Sequence, residues 1–215
     1  MKKLSFMGEC MVELSSTGGN SYTMGFAGDT FNTAWYLRRL LPPDWEVSYF
    51  TALGTDPTSD DMIAFMDESA INTDHIQRLP GKTAGLYMIR LDNGERSFSY
   101  WRESSAARLL ALEKDRLEAG LHSAGIAIFS GITMAILQSE GRDNLLSALA
   151  RARAGGCTIV FDPNLRPHLW LDASTMRAEI SRAAEVADII LPSFDDEKTF
   201  FGDPTPEDTT KRYHD

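Results

Sequence analysis

Asp29 and Asn32 stand three residues apart, directly after the glycine-punctuated stretch Gly25-Phe26-Ala27-Gly28. On a helix that spacing is close to one turn, so a carboxylate and a carboxamide face one small molecule and offer it acceptors and donors suited to neighbouring hydroxyls. Such chemistry is sugar-like. The plainer alternative is a capped helix whose Asp and Asn only satisfy backbone groups, and this stretch taken alone favours it. Phe31, Ala34, Trp35, Leu37 and Leu41 pattern the helix, with Asp29 or Thr30 as its cap. Gly25 and Gly28 are expected to supply backbone angles and a close ligand approach that a side chain would forbid.

The elements that position these residues read as an α/β chain. Leu4 to Met7 is a core strand, and residues 8–14 continue extended instead of turning into a helix. That path, with no GxGxxG between strand and helix, counts against a dinucleotide-binding start. A strand over 47–53 and a helix from Ser59 to Glu68 establish a β-α-β rhythm. The rhythm breaks at 83–102, where two strand patterns flank Asn93-Gly94, a favoured type I′ turn. A hairpin joins a parallel sheet poorly, so it is placed with 11–14 and 22–26 in a small separate sheet that covers a site. From Leu112 the rhythm resumes: a helix to Ser123, strand 125–130, helix 139–154, strand 158–161, helix 174–187 and strand 189–191. These read as three successive buried strands of a largely parallel sheet, with ligands at their carboxyl ends, at 162–166 and 192–197. Thr205-Pro206-Glu207-Asp208 is a good helix start. The chain ends at Asp215 before a return strand, which reads as truncation within a β-α unit.

Composition narrows the function. The 215 residues are 43% apolar and carry a formal net charge of -10, so nucleic-acid and anionic-membrane partners are disfavoured. An anionic small molecule then needs local arginines. The N-terminal apolar run ends at Gly8-Glu9, too early for a signal peptide, and no run reaches membrane-spanning length. Cys10 and Cys157 sit singly in apolar surroundings, so the default is a cytoplasmic protein with reduced thiols. His75, His122, His168 and His214 are scattered without metal-ligand spacing and read as surface or structural residues.

An ordered set of segments then resembles the ribokinase-like (phosphofructokinase B) carbohydrate kinases. It comprises residues 8–14, 25–32, 51–56, 85–87, 99–102, Asp162-Pro163-Asn164-Leu165-Arg166 with Pro167 and Trp170, and 191–197. The Tyr100-Trp101-Arg102 segment points within the family to the branch that phosphorylates 2-keto-3-deoxygluconate. The resemblance implies one α/β domain over 1–215, incomplete at its C-terminus, with a β-sheet lid formed by about 10–26 and 83–102 that often supports homodimers. It implies ATP and Mg²⁺ as cofactors and a small sugar acid as substrate. Gly28, Asp29 and Asn32 would hold sugar hydroxyls, Tyr87 and Tyr100 would line the lid, and Arg102 and Arg166 would meet the substrate. Arg102, ending a hairpin strand, suits bidentate pairing with a sugar carboxylate. Without the resemblance, Arg102 reads as a solvated charge, and Tyr100 and Trp101 as lid core or dimer contact.

Asn164, Arg166 and Ser193 would approach the ATP phosphates, and Asp196 or Glu197 would influence Mg²⁺ through water. Many relatives carry Asn where Ser193 stands, and the run Asp195-Asp196-Glu197 leaves open which acid corresponds; helix capping is the plain alternative. The family's catalytic aspartate follows a Gly-Ala-Gly turn, and no such stretch occurs here. The expectation is therefore a sugar-kinase chain that supplies positioning but lacks its catalytic base. The alternatives are a kinase for neutral sugars, of fructokinase or ribokinase type, and a non-catalytic sugar-acid-binding or dimerising fragment.

Overall fold

The computed structural model describes residues 2–92 and 95–214. The Asn93-Gly94 turn expected from the sequence lies outside the described residues. β1 (Lys2–Met7) is followed by β2 (Met11–Gly18), β3 (Ser21–Ala27), α1 (Asp29–Leu40), β4 (Trp45–Phe50), the short β5 (Ala52–Leu53) and α2 (Pro57–Glu68). Then come β6 (Gln77–Arg78), β7 (Gly85–Asp92), β8 (Glu95–Trp101), α3 (Lys114–Leu121), β9 (Ile126–Ser130), α4 (Gly131–Ile136) and α5 (Ser139–Ala154). β10 (Thr158–Asp162), α6 (Ala173–Glu185), β11 (Ile189–Ile190), α7 (Phe194–Phe200) and α8 (Pro206–His214) complete the order.

Five strands form a parallel sheet in the order β11-β10-β9-β1-β4. Side chains alternate across it and must be covered on both faces. Leu4, Phe6, Val47 and Tyr49 pack on one face with Phe31 and Ala34 of α1 and Met62 and Met66 of α2. Met7, Ala127, Phe129, Ile159 and Phe161 pack on the other with α3, α5 and α6. The Phe129 and Phe161 rings, register partners, stack at 4.7 Å. β11 is an edge, with Ile189 47% exposed; the expected third buried strand is only half covered because nothing pairs its outer side among the described residues. α4 was not foreseen. It is a short turn with a Ser130/Thr133 capping box, and Thr133 Oγ1 donates to the Met7 carbonyl at 2.9 Å, tying β9 to the end of β1.

A second sheet, β3-β2-β7-β8, holds residues 11–27 and 85–101, with β2 parallel to β7 and the other pairs antiparallel. A small third pair, β5 with β6, was not anticipated.

Two local expectations need correction. α1 is entered through Gly28, with no side-chain cap; Asp29 and Thr30 are already helical. Gly28 is extended at φ -178°, a conformation any residue adopts, and what forbids a side chain there is the Glu9 carbonyl oxygen, 2.1 Å from where a Cβ would sit. At Gly25 a Cβ would meet nothing within 4 Å. By contrast Thr205 caps α8 as expected, its Oγ1 accepting from Asp208 N at 3.2 Å. α8 is fastened to α7 by Glu197, which is fully buried and accepts from Arg212 at 2.7 Å and from the Tyr213 hydroxyl at 3.0 Å.

Gly28→Ala should cost about 1–3 kcal/mol through overpacking, while Gly25→Ala stays within about 0.5 kcal/mol, both read by denaturant unfolding. Arg212→Ala strands the Glu197 carboxylate and should cost on the order of 3 kcal/mol by the same measurement.

Candidate active site

β1 lies between β4, which follows it through α1, and β9, reached later on its other side. Chain segments diverge above such a strand, and a crevice opens at the carboxyl ends. Here that crevice is a cavity of about 410 Å³, roofed by the second sheet. Gly28, Asp29, Asn32, Tyr87, Tyr100, Arg102, Asn164 and Arg166 all line it; Ser193 does not.

The roof follows from strand register. Glu13, Tyr87 and Tyr100 form one row across β2, β7 and β8, and Phe98 lies two residues from Tyr100 on the same face. Tyr87 and Tyr100 rings are 5.8 Å apart, Phe98 and Tyr100 6.2 Å. The Tyr87 hydroxyl donates to Glu13, and burial together with that carboxylate raises its pKa. Trp101 projects from the opposite face, 57% exposed.

The floor joins distant segments. Asn164 has φ +35°, in the left-handed region that asparagine tolerates, and its Nδ2 donates to Asp29 Oδ2 at 3.0 Å. Asp29 Oδ1 accepts from Thr30 N at 2.8 Å, while Asn32 Oδ1 makes only a long 3.4 Å contact with Gly28 N. Asp162 accepts from Asn164 N at 3.2 Å. Its pKa is pushed up to about 6, first by burial and then by the Asp29 charge, with Asp196 adding to it.

The two arginines differ in kind. Arg102 is 7% exposed and donates through Nη2 to Glu9, itself 2% exposed, which also accepts from the Ser105 hydroxyl. Arg102 is therefore not the unengaged fork expected, although its Nε has no partner. Burial raises the Glu9 pKa against the opposing pull of Arg102 and Ser105. Arg166 is exposed, donates to the Leu165 carbonyl at 2.7 Å, and meets no carboxylate among the described residues.

At the far end, Ser193 is exposed at the start of α7 and makes no capping bond with its side chain. Glu197 is committed to Arg212 and Tyr213, so it is not available for a metal. Among the described residues no cluster of three or more His, Cys, Asp or Glu is arranged to hold a metal ion.

Sequence reasoning left out Glu9, Met11, Phe98, Ile132, His168 and Leu169, which also line the cavity. Glu9 lay within a segment already singled out, and Phe98 alternates with Tyr100, so both carried a signal. His168 was read as bland, yet its ring stands 6.3 Å from Tyr100. Ile132 and Leu169 are placed by tertiary packing and carried none.

The sequence pattern of the pfkB family carbohydrate kinases matches residues 1–215. The 2-dehydro-3-deoxygluconokinase of Dickeya dadantii is 41% identical over 217 residues, covering 99% of this chain and 70% of that protein. Its counterpart from Escherichia coli K12 is 38% identical over 218 residues, covering 99% and 70%. The PfkB protein of Polaromonas superposes with a TM-score of 0.87 at 27% identity, covering 99% of this chain and 72% of that one. The 2-dehydro-3-deoxygluconokinase of Thermotoga maritima gives 0.84 at 23% identity over 98% and 67%, a likeness of fold. The chain thus spans about 70% of the length of these curated relatives. No helix among the described residues is long and apolar enough to cross a membrane. A parallel sheet with a crevice above its central strand, a second sheet over that crevice and a match along the whole sequence agree: the chain belongs to the pfkB family of carbohydrate kinases, enzymes that transfer a phosphoryl group to a sugar.

Proposed function

We propose that the cavity binds the sugar acid 2-keto-3-deoxygluconate and presents its terminal hydroxyl for ATP-dependent phosphorylation. The observation that carries this is Arg166, which pairs with no carboxylate among the described residues and lines a cavity where Asp29 and Asn32 suit hydroxyls. In a protein of net charge -10, such a residue gives a sugar carboxylate a fixed point to bind. Asp29 and Asn32 take hydroxyls, and Tyr87, Phe98 and Tyr100 cover the ring and exclude water. Arg102, neutralised by Glu9, offers oriented donors with no net charge. The names of the relatives from Dickeya and Escherichia support this substrate over a neutral sugar.

ATP would supply the phosphoryl group, and Mg²⁺ would neutralise charge during its transfer. Asn164 lines the cavity, and Ser193 makes no side-chain hydrogen bond among the described residues, so both fit contacts to phosphate. Of the acidic run, Glu197 is occupied, which leaves Asp195 or Asp196 for a water-mediated contact with the metal. The carboxylates lining the cavity, Glu9 and Asp29, are both hydrogen-bonded, and the sequence holds no Gly-Ala-Gly-Asp stretch. The 215-residue chain is therefore expected to bind the sugar acid and to turn over slowly or not at all. A second copy would cover the exposed Met24 and Trp101, which share the face of the small sheet opposite Tyr87.

Calorimetric titration with 2-keto-3-deoxygluconate, beside a coupled assay of ADP release with Mg-ATP, tests the reading. Saturable binding that Arg166→Ala weakens by about 10–100-fold is expected, the size of a lost charge-assisted pair. Preference for a neutral sugar such as fructose would defeat it. Asp162 gives a separate pH signature. With its folded pKa raised above the ordinary value to about 6, folding favours the protonated carboxyl, so its contribution to stability is lost as pH rises from about 4 to 6. Asp162→Asn should then be more stable than the parent at pH 7.5, by on the order of 1 kcal/mol after solvent screening, with the advantage fading towards pH 4 in thermal melts.

A further inference from the structure

The chain passes between the small sheet and the rest of the domain four times, at 8–10, at 28, at 79–84 and at 102–105. All four passages meet at one residue. Glu9 lies in the first, and its carbonyl oxygen closes the space beside Gly28 in the second. Its carboxylate fills the space beside Gly85, where the third passage enters β7 and a Cβ would lie 2.8 Å from Oε1. The fourth passage donates two hydrogen bonds to the same carboxylate, from Arg102 and from Ser105. The third and fourth are also joined to each other, Ala106 N donating to the Thr83 carbonyl at 2.9 Å.

We propose that Glu9 is a positioning residue, whose carboxylate sets the small sheet over the cavity and holds Arg102 as part of the wall before a ligand enters. A buried carboxylate engaged on two sides cannot shift without leaving an ion or a hydroxyl unpartnered, so it fixes the elements that meet it. Arg102, which pairs with it, lines the cavity directly. Rotamer freedom already lost in the free protein is not lost again on binding, which favours affinity. The proposal rests on the sugar-acid reading only for the identity of the ligand.

The test compares hydrogen exchange in the 215-residue chain and its Glu9→Gln variant, together with the Kd for 2-keto-3-deoxygluconate. Glutamine keeps the length and an acceptor but removes the charge. Exchange in β2, β7 and β8 is expected to quicken about tenfold or more, with β9 and β10 unchanged within about twofold, and Kd to rise about tenfold. Should Glu9→Gln fail to fold, Ser105→Ala removes one donor and no charge, and should give the same pattern at about threefold. Equal acceleration in both sheets would make Glu9 a residue of general stability and overturn the proposal, as would no change in the small sheet. A parent chain that does not bind the sugar acid defeats the functional reading, while the exchange pattern still decides the role of Glu9.

Discussion

The central place of β1 in the parallel sheet is the constraint from which the rest follows. With β4 and β9 paired along its two edges and helices over both faces, the strand sends Leu4 and Phe6 into one core and Met7 into the other. No edge is left for the segment that follows it. β2 and β3 must therefore leave the sheet, and they return only at Gly28, where α1 begins. The small sheet is thus a consequence of where the chain inserts its excursion, and its position above the crevice follows from leaving at the carboxyl end of β1.

Much of this was legible because burial on both faces writes itself into composition: runs such as 47–53 and 125–130 are predominantly apolar, and few other structures accept them. The break at 83–102 was equally plain, since period-two alternation around Asn93-Gly94 cannot be a crossover helix. Short elements were not legible. α4 depends on Thr133 reaching the end of β1, and the pair β5-β6 joins segments two dozen residues apart; both are decided by contacts that local propensity does not encode. Gly28 shows the same limit from the other side. Its glycine was conspicuous, but the reason for it is the carbonyl of Glu9, invisible until the fold brings residues 9 and 28 together.

At the site, residue types were easier to read than their states. Asp29, Asn32, Tyr87, Tyr100, Arg102, Asn164 and Arg166 reach one cavity, yet two arginines that look alike along the chain are dissimilar in the structure. Arg102 is buried and counter-charged; Arg166 is exposed, with the backbone as its partner. The difference lies in Glu9, ninety-three residues from its partner. Likewise the three acids 195–197 look equivalent along the chain, and only the packing of α8 singles out Glu197 for a structural bond. Ionic state is a property of neighbours, and neighbours are what a linear reading lacks.

The hydrogen bond between Asn164 and Asp29 spans 135 positions of sequence and sits on the cavity wall. It holds the carboxamide of Asn164 only as long as the carboxylate has no better offer. A hydroxyl that takes its place on Asp29 exchanges one hydrogen bond for another at small net cost, and in doing so releases an N–H donor on the loop after β10. The two walls of the crevice thus share one side-chain hydrogen bond, for which any hydroxyl brought to Asp29 competes.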